Sequence, residues 1–383
     1  MKSELPVLPT SPLPPLYAAW LEQLLAGPIP HERDATCDNC AMCADGREPN
    51  TNEIFFSPQT KCCTYVPALP NYLVGRILAD EEPAAAAGRA TVVARMRAGA
   101  GVTPLGLAAP PNFSVLYGHN PAALFGRSLT LRCPHYLEEA GGRCGVWAHR
   151  AGVCATWFCK FERGATGMNF WRSLEQLLTG IERNLAHWCL LELGFKGETL
   201  RRLLPMPVQT SRNNISAHAL DGVADPQEQR ALWGEWTGRE AEFYRACAQC
   251  VGALTWADVL ALGGPELQLF AQLTREAYDE ISSEQLPAAL KVGVFNVLRL
   301  GPDSNTISTY SGYDPIELPN KLLEVLPYFD GRPVAQALAA IAAERDVKLD
   351  RALVRKLVDF KLLVPCEGTT GTHRAKTGQR PQR

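Results

Sequence analysis

The chain has almost no net charge and no long apolar run. Lys and Arg number 38 against 40 Asp and Glu, a formal charge of −2 with a pI near 6.4. That excludes a globally basic nucleic-acid binder, though not a local patch. Nowhere do about 18 apolar residues follow one another without a break, so no transmembrane helix is expected. The first residues, MKSELPVLPTSPLPPLY, put prolines where the apolar core of a secretory signal would lie, and a cytoplasmic location is the expectation. Common catalytic signatures are missing too. There is no G-x-S-x-G elbow and no H-E-x-x-H, and GAGVTPLG (99–106) has neither Walker nor dinucleotide-binding spacing. No internal repeat is present. What remains is 46% hydrophobic and 20% charged, ample for a core and long enough for two or three domains.

One residue type breaks this even composition. There are 13 cysteines, and Cys37, Cys40, Cys43, Cys62, Cys63, Cys133, Cys144, Cys154 and Cys159 all fall between positions 37 and 159. In a reducing compartment clustered thiols bind metal more often than they form disulfides, and an odd total fits a disulfide framework poorly. The first group is Cys37-x2-Cys40-x2-Cys43, followed by the pair Cys62-Cys63; a C-x2-C spacing turns two thiolates toward one ion. The second group lies in CPHYLEEAGGRCGVWAHRAGVCATWFCK. Neither segment has an apolar stripe of its own, so bonds to a metal would contribute the folding free energy that burial does not. Four thiolates close a tetrahedral zinc site, and iron–sulfur clusters also take cysteine ligands. Nine thiols exceed one such site and nearly fill two. A ferredoxin-type run fails because position 47 is Arg where a fourth Cys is needed. The C-x3-C-x2-C run of radical enzymes using S-adenosylmethionine is absent as well. The bland alternative is a set of separate buried thiols, each packing as a small hydrophobe.

The order CxxCxxC, CC, C-P-H-Y-L, R-C-G-V-W, H-R-A-G-V-C, F-C resembles the YkgJ-like cysteine-cluster family, whose members are described as zinc- or iron-chelating domains. The resemblance covers about residues 34–162. Its more specific half maps onto Cys133, Cys144, Val146, Trp147, Arg150, Cys154, Phe158 and Cys159. Two departures, Ala151 where the family has Pro and a CC pair set farther from the CxxC run, leave open how the ligands divide between sites. The resemblance implies metal binding by cysteines and says little of any reaction. Flagellin lysine methylases carry a similar pattern with an iron–sulfur centre, so an enzyme modifying a peptide or protein is the alternative; no catalytic residue is assigned.

Other candidates are weaker. His135 and His149 lie inside the second group as optional ligands, with a surface or supporting role the plainer reading. Arg150 beside anionic thiolates would offset their charge. Cys247-x2-Cys250 sits in a helical pattern and reads as two small core residues before it reads as a chelating pair. Cys189 and Cys366 read as packed thiols. Trp233, Trp236, Phe243 and Tyr244 follow helical spacing and read as core.

The expected fold is mainly α with irregular, metal-stabilised cysteine-rich loops and a small winged-helix-like α+β unit at the carboxy terminus. Residues 1–30 form an arm whose helix, Pro14 to Ala26, puts Leu16, Trp20, Leu21 and Leu24 on one face. Residues 31–167 form the cysteine-cluster domain, with helices from Pro70 to Asp80 and Pro83 to Arg97 and a surface loop over 98–118. Residues 168–285 are helical: Met168 to Leu193 has apolar residues at 170, 171, 174, 177, 178, 181, 185 and 188, and Pro226 to Leu254 and Pro265 to Ile281 follow. In 286–366, strands at 291–300 and 305–312 precede three helices and a closing KLLVP strand, with a turn at Asp330-Gly331. The pattern is similar to PqqD-like peptide-recognition modules. A scaffold ranks first for it, a peptide or protein partner second. DNA ranks last, because residues 320–361 hold eight Lys/Arg against six Asp/Glu. Residues 367–383 are expected to be disordered.

Overall fold

The structure, a computed structural model, describes residues 13–32, 37, 40–43, 55–99, 101–139, 141–203, 225–345 and 347–366. The tail at 367–383 therefore lies outside the described residues. The chain is mainly helical, with four small sheets among the described residues. It divides into two compact units, one of residues 1–162 and 168–279 and one of residues 163–167 and 280–383. The arm, the cysteine-rich segment and most of the helical segment fall in the first, and residues 286–366 fall in the second. No single described helix is long and apolar enough to cross a membrane.

The first unit is built on the long helix. In chain order the helices lying wholly or mostly in it are α1 (Pro15–Leu25), α2 (Asn71–Ala79), α3 (Ala86–Ala98), α4 (Pro111–His119), α5 (Pro121–Leu124), α6 (Gly152–Thr156), α7 (Gly164–Glu192), α8 (Gly197–Leu203), α9 (Pro226–Trp233), α10 (Glu240–Gly252) and α11 (Trp256–Ser282). Seven of the eight apolar positions read from the sequence of α7 are buried, from Phe170 to Leu185, and Trp188 is half-buried. Each such burial contributes about 1.5–3 kcal/mol, so this stripe organises what packs on it. Asn71, fully buried at the start of α2, donates to the carbonyls of Pro104 and Ala186 at 3.0 Å each. Helices α2 and α10 meet at Gly75, where a Cβ would lie 1.8 Å from the Tyr244 carbonyl oxygen. Only glycine permits that approach.

Several local expectations are corrected. In α1 the buried face is rotated: Trp20 and Leu21 are buried as expected, but Leu16 and Leu24 are only half-buried and Tyr17, Ala18 and Leu25 complete the face. The rotation brings the Tyr17 hydroxyl to Glu182 at 2.5 Å. The loop expected over 98–118 holds a hairpin, β2 (Val102–Thr103) with β3 (Gly106–Leu107), and all of α4 but its last residue, His119. Strand β1 (Leu69–Pro70) pairs with β3. Pro111 at the first position of α4 starts a helix where a loop breaker was read, and its Phe113 is buried. The helix expected over 226–254 ends at Gly234 and restarts at Glu240. Trp233, Phe243 and Tyr244 stack edge to face at 5.6 Å in the core.

The second unit is small and self-contained. Its strands are β6 (Ala289–Val292), β7 (Asn296–Arg299), β8 (Ser304–Ser308), β9 (Ile316–Pro319), β10 (Asp330–Pro333) and β11 (Leu363–Pro365), with helices α12 (Asn320–Val325), α13 (Val334–Arg345) and α14 (Arg351–Asp359). One antiparallel sheet runs β10-β6-β11 and another β7-β8-β9. The single strand expected over 291–300 is two, interrupted at Gly293, whose N–H turns to the Leu362 carbonyl at 2.8 Å. Asp330-Gly331 is not a free turn but the start of β10, and pairing continues as Val334 N–H donates to the Ala288 carbonyl at 2.9 Å. The core joins Leu290, Ile307, Leu318, Phe329, Ile341, Val354, Leu357 and Leu363. Arg163 of this unit forks onto the Asp359 carboxylate at 2.9 Å through two nitrogens, and Asp359 also accepts from Arg355 at 3.1 Å.

Candidate metal centre

The cysteine-rich segment has little regular structure. Its strands β4 (Tyr136–Leu137) and β5 (Arg143–Cys144) are two residues each. Main-chain hydrogen bonds join the pieces that carry the thiols. Cys43 N–H closes a turn onto the Cys40 carbonyl at 3.0 Å, and Phe56 N–H donates to Met42 at 2.8 Å. Cys133 N–H donates to the Cys63 carbonyl at 2.7 Å, which ties the CC pair to the second group. Gly145 N–H reaches the His135 carbonyl at 2.7 Å. Helix α3 approaches this loop so closely that a Cβ on Gly88 would lie 1.8 Å from the Gly145 carbonyl oxygen.

Cys154 stands on the short helix α6, whose Gly152 N–H donates to Glu182 at 2.6 Å. Glu182 is fully buried in α7 and also accepts from Tyr17 at 2.5 Å. Burial pushes its carboxyl up to about 7, against the pull of both donors.

Eight of the nine thiols fall within one another's electrostatic reach. Burial pushes Cys37 up, with Cys62 adding to it, while the Cys144 backbone and the charges of Lys61 and Arg150 pull it down. Cys62 is held below the ordinary thiol range, first by a hydrogen bond from Cys63 and also by Arg150 and Lys61; Cys63 is correspondingly raised. Cys133 is pushed up to about 11 by burial, and Cys144 to about 12 by burial and the charge of Cys133. Cys154 rises through burial and the charges of Cys144, Cys133 and Cys62. Cys159 rises through burial and then Cys62 and Cys40. Cys43, the ninth, acts on Tyr136 together with Cys63 and Cys37.

Two cations are built into this group. Arg150 is 4% exposed, and its guanidinium lies 3.5 Å from the centre of the Trp147 ring. Burial lowers it, and the charges that favour its ionised form include those of Cys144, Cys154, Cys37 and Cys62. Lys61 is 8% exposed; its Nζ donates to the carbonyls of Cys37, Gly141 (3.1 Å) and Gly142 (2.7 Å). Burying a cation is costly unless an anion accompanies it. Neutral thiols do not meet that need; thiolates do, and thiolates are what metals bind. The donor set therefore fits a thiophilic metal or cluster, whose bonds would replace the protons that burial now favours.

All thirteen cysteines are free thiols, and among the described residues no three His, Cys, Asp or Glu side chains stand close enough together to hold one ion. The nine thiols are gathered, then, without being closed onto a common point. The two histidines have other partners. His135 is buried, with Nδ1 2.7 Å from the Thr91 hydroxyl and Nε2 3.3 Å from Arg95. Thr91 gives its own proton to Gly88 at 2.7 Å and the guanidinium can only donate, so Nδ1 carries the hydrogen and Nε2 accepts. Burial and Arg95 lower His135 to about 3, which keeps it neutral. His149 pairs with Asp80 at 2.8 Å.

Cys189 and Cys247 are buried together, the Cys189 thiol reaching the Cys247 carbonyl at 3.9 Å, and half-buried Cys250 lies one turn on. Cys189 and Cys247 are thus core thiols, and Cys250 is not. Sequence reasoning missed Lys61 and Glu182. Lys61 precedes the CC pair directly and had that adjacency as its only signal; Glu182 interrupts the apolar stripe of α7 and had none. No protein-family model matches the chain, and neither a curated protein nor a solved structure matches it.

Proposed function

We propose that this protein binds a metal through its clustered cysteines, as zinc or an iron–sulfur centre in one or two sites. The observation that carries the reading is the pair of buried cations, Arg150 and Lys61, set among thiols whose charges favour the ionised guanidinium. Cys37, Cys62, Cys144 and Cys154 are the ligands nearest that charge, with Cys63, Cys133, Cys159, Cys40 and Cys43 completing the set. A bound zinc would hold the loops together, whereas an iron–sulfur centre would add redox chemistry. This chain's residues do the rest: Arg150 and Lys61 offset thiolate charge, and Glu182 fixes the helix that presents Cys154.

The carboxy-terminal unit is read as winged-helix-like. The order α12, β10, α13, α14, β11, with β6 between the two strands, supports this. Its first-ranked role remains a scaffold, with binding of a peptide or protein segment second.

Anaerobic purification with metal analysis and visible absorption tests the proposal. Stoichiometric zinc and a colourless protein support a structural site; stoichiometric iron with sulfide and absorption in the visible support a cluster. Absence of any metal, with serine at Cys37, Cys62, Cys144 and Cys154 leaving stability unchanged, overturns both.

A further inference from the structure

A cavity of about 320 Å³ opens beside the thiol group, between the end of α3, α4 and the turn at Leu129–Leu131. We infer that it is a binding site for a small organic anion, a carboxylate carried on an apolar body. Its size is at the lower end for small-ligand pockets. One wall is apolar: Phe113 and Leu131 belong to a small buried cluster, and half-exposed Leu116 stands at the rim. The lining also holds two cations, Arg95 and Arg132, and the amide of Asn112.

Arg95 makes the case. It is 8% exposed, yet its hydrogen bonds go to two neutral acceptors, the Ala108 carbonyl at 2.6 Å and Nε2 of His135 at 3.3 Å. Those bonds use two of the five N–H donors of a guanidinium. Among the described residues no carboxylate forms an ion pair with it, whereas Arg132 has Glu138 at 2.9 Å. A buried cation lining a cavity without an acid beside it lacks a counter-ion. A carboxylate in the cavity would supply one in the planar, two-oxygen form that guanidinium recognises best. The Phe113 and Leu131 wall would take its apolar part. Burial lowers Arg95, and the charges of Cys133 and Tyr244 only oppose that loss. Neither Cys133 nor Tyr244 lines the cavity.

Isothermal titration of the full chain as isolated, with metal content measured on the same samples, tests this separately from the metal reading. The probes are 3-phenylpropionate, octanoate, the neutral 3-phenylpropionamide and inorganic phosphate. Saturable binding of at least one carboxylate, with the amide and phosphate at least tenfold weaker, is the expected result. Leu116→Trp should block the rim and weaken carboxylate binding at least tenfold with an unchanged melting temperature. Arg95→Gln should abolish binding, and Arg95→Lys should restore part of it. If Arg95→Gln does not fold, Leu116→Trp and the amide still decide. No saturable binding by either carboxylate, an amide that binds as well as its acid, or a Leu116→Trp protein that binds normally overturns the inference.

Discussion

The two units solve the problem of staying folded by different means. The second joins its strands and helices through aliphatic side chains such as Leu290, Ile341 and Leu357. The stretch from Cys37 to Cys159 is longer, yet between its helices it has two-residue strands, single turns and half-buried thiols. Besides apolar residues such as Tyr72, Val74 and Leu107, it buries Lys61, Arg150, His135 and Arg95, groups that are costly to bury and gain only through specific partners. Where apolar area does the work, almost any residue of the right size suffices. Where charge does it, the counter-charge has to arrive.

Chelation should break the comparison open most widely. Structural zinc contributes on the order of 10 kcal/mol in small sites. Stripping the metal should therefore abolish amide protection in residues 55–160 while β6, α13 and α14 stay protected in hydrogen exchange. Equal loss in both units would show that the thiols do not hold the first one.

Arg150→Met offers a test of sign. With thiolates present, removing the cation leaves buried negative charge, a cost of about 3–5 kcal/mol, and metal content should fall. With neutral thiols the same change would remove an uncompensated charge and stabilise the protein. Chemical denaturation with metal analysis reads both.

In the second unit Leu357→Ala should cost about 2–5 kcal/mol and leave metal content untouched. A drop in bound metal would mean that the two units are not independent in this respect.

Glu182 gives the smallest effect, spread over pH. Its folded carboxyl sits near 7, above the ordinary 4.5, so the folded chain holds the proton more tightly than the unfolded chain. Stability from this group is complete below about 4.5 and declines as pH rises to about 7, by about 3 kcal/mol from the shift. Glu182→Gln should flatten that part of the stability–pH curve relative to the native chain. An unchanged curve would place the titration elsewhere.

Much of the fold was legible. The stripe of α7 was read residue by residue because a helix buried on one face must repeat its apolar residues near every 3.6 positions. Three helices were expected in the second unit and three are there, α14 starting at the Asp350 cap, whose carboxylate accepts from Leu353 N–H at 2.7 Å. Helix α4 was missed because Pro110-Pro111 reads equally as a breaker and as a first turn. The break at Gly293 was missed because it depends on Leu362, a partner about seventy residues away. At the site, the nine thiols announced themselves by spacing. The charges that make them more than a list of thiols did not, since a lysine beside two cysteines reads as solvated until the fold buries it.

Lys61 has one more implication, for how freely this sequence can vary. It sits with φ at 50° and takes its three acceptors entirely from main-chain carbonyls, at Cys37, Gly141 and Gly142. A carbonyl is offered by every residue type. Two of these carbonyls nevertheless belong to glycines with φ of 77° and 74°, and a Cβ on Gly142 would lie 2.1 Å from the Tyr136 hydroxyl oxygen. The clasp therefore constrains both of its sides: among descendants of this chain the lysine before the paired cysteines and the Gly141-Gly142 turn that receives it should vary together or not at all.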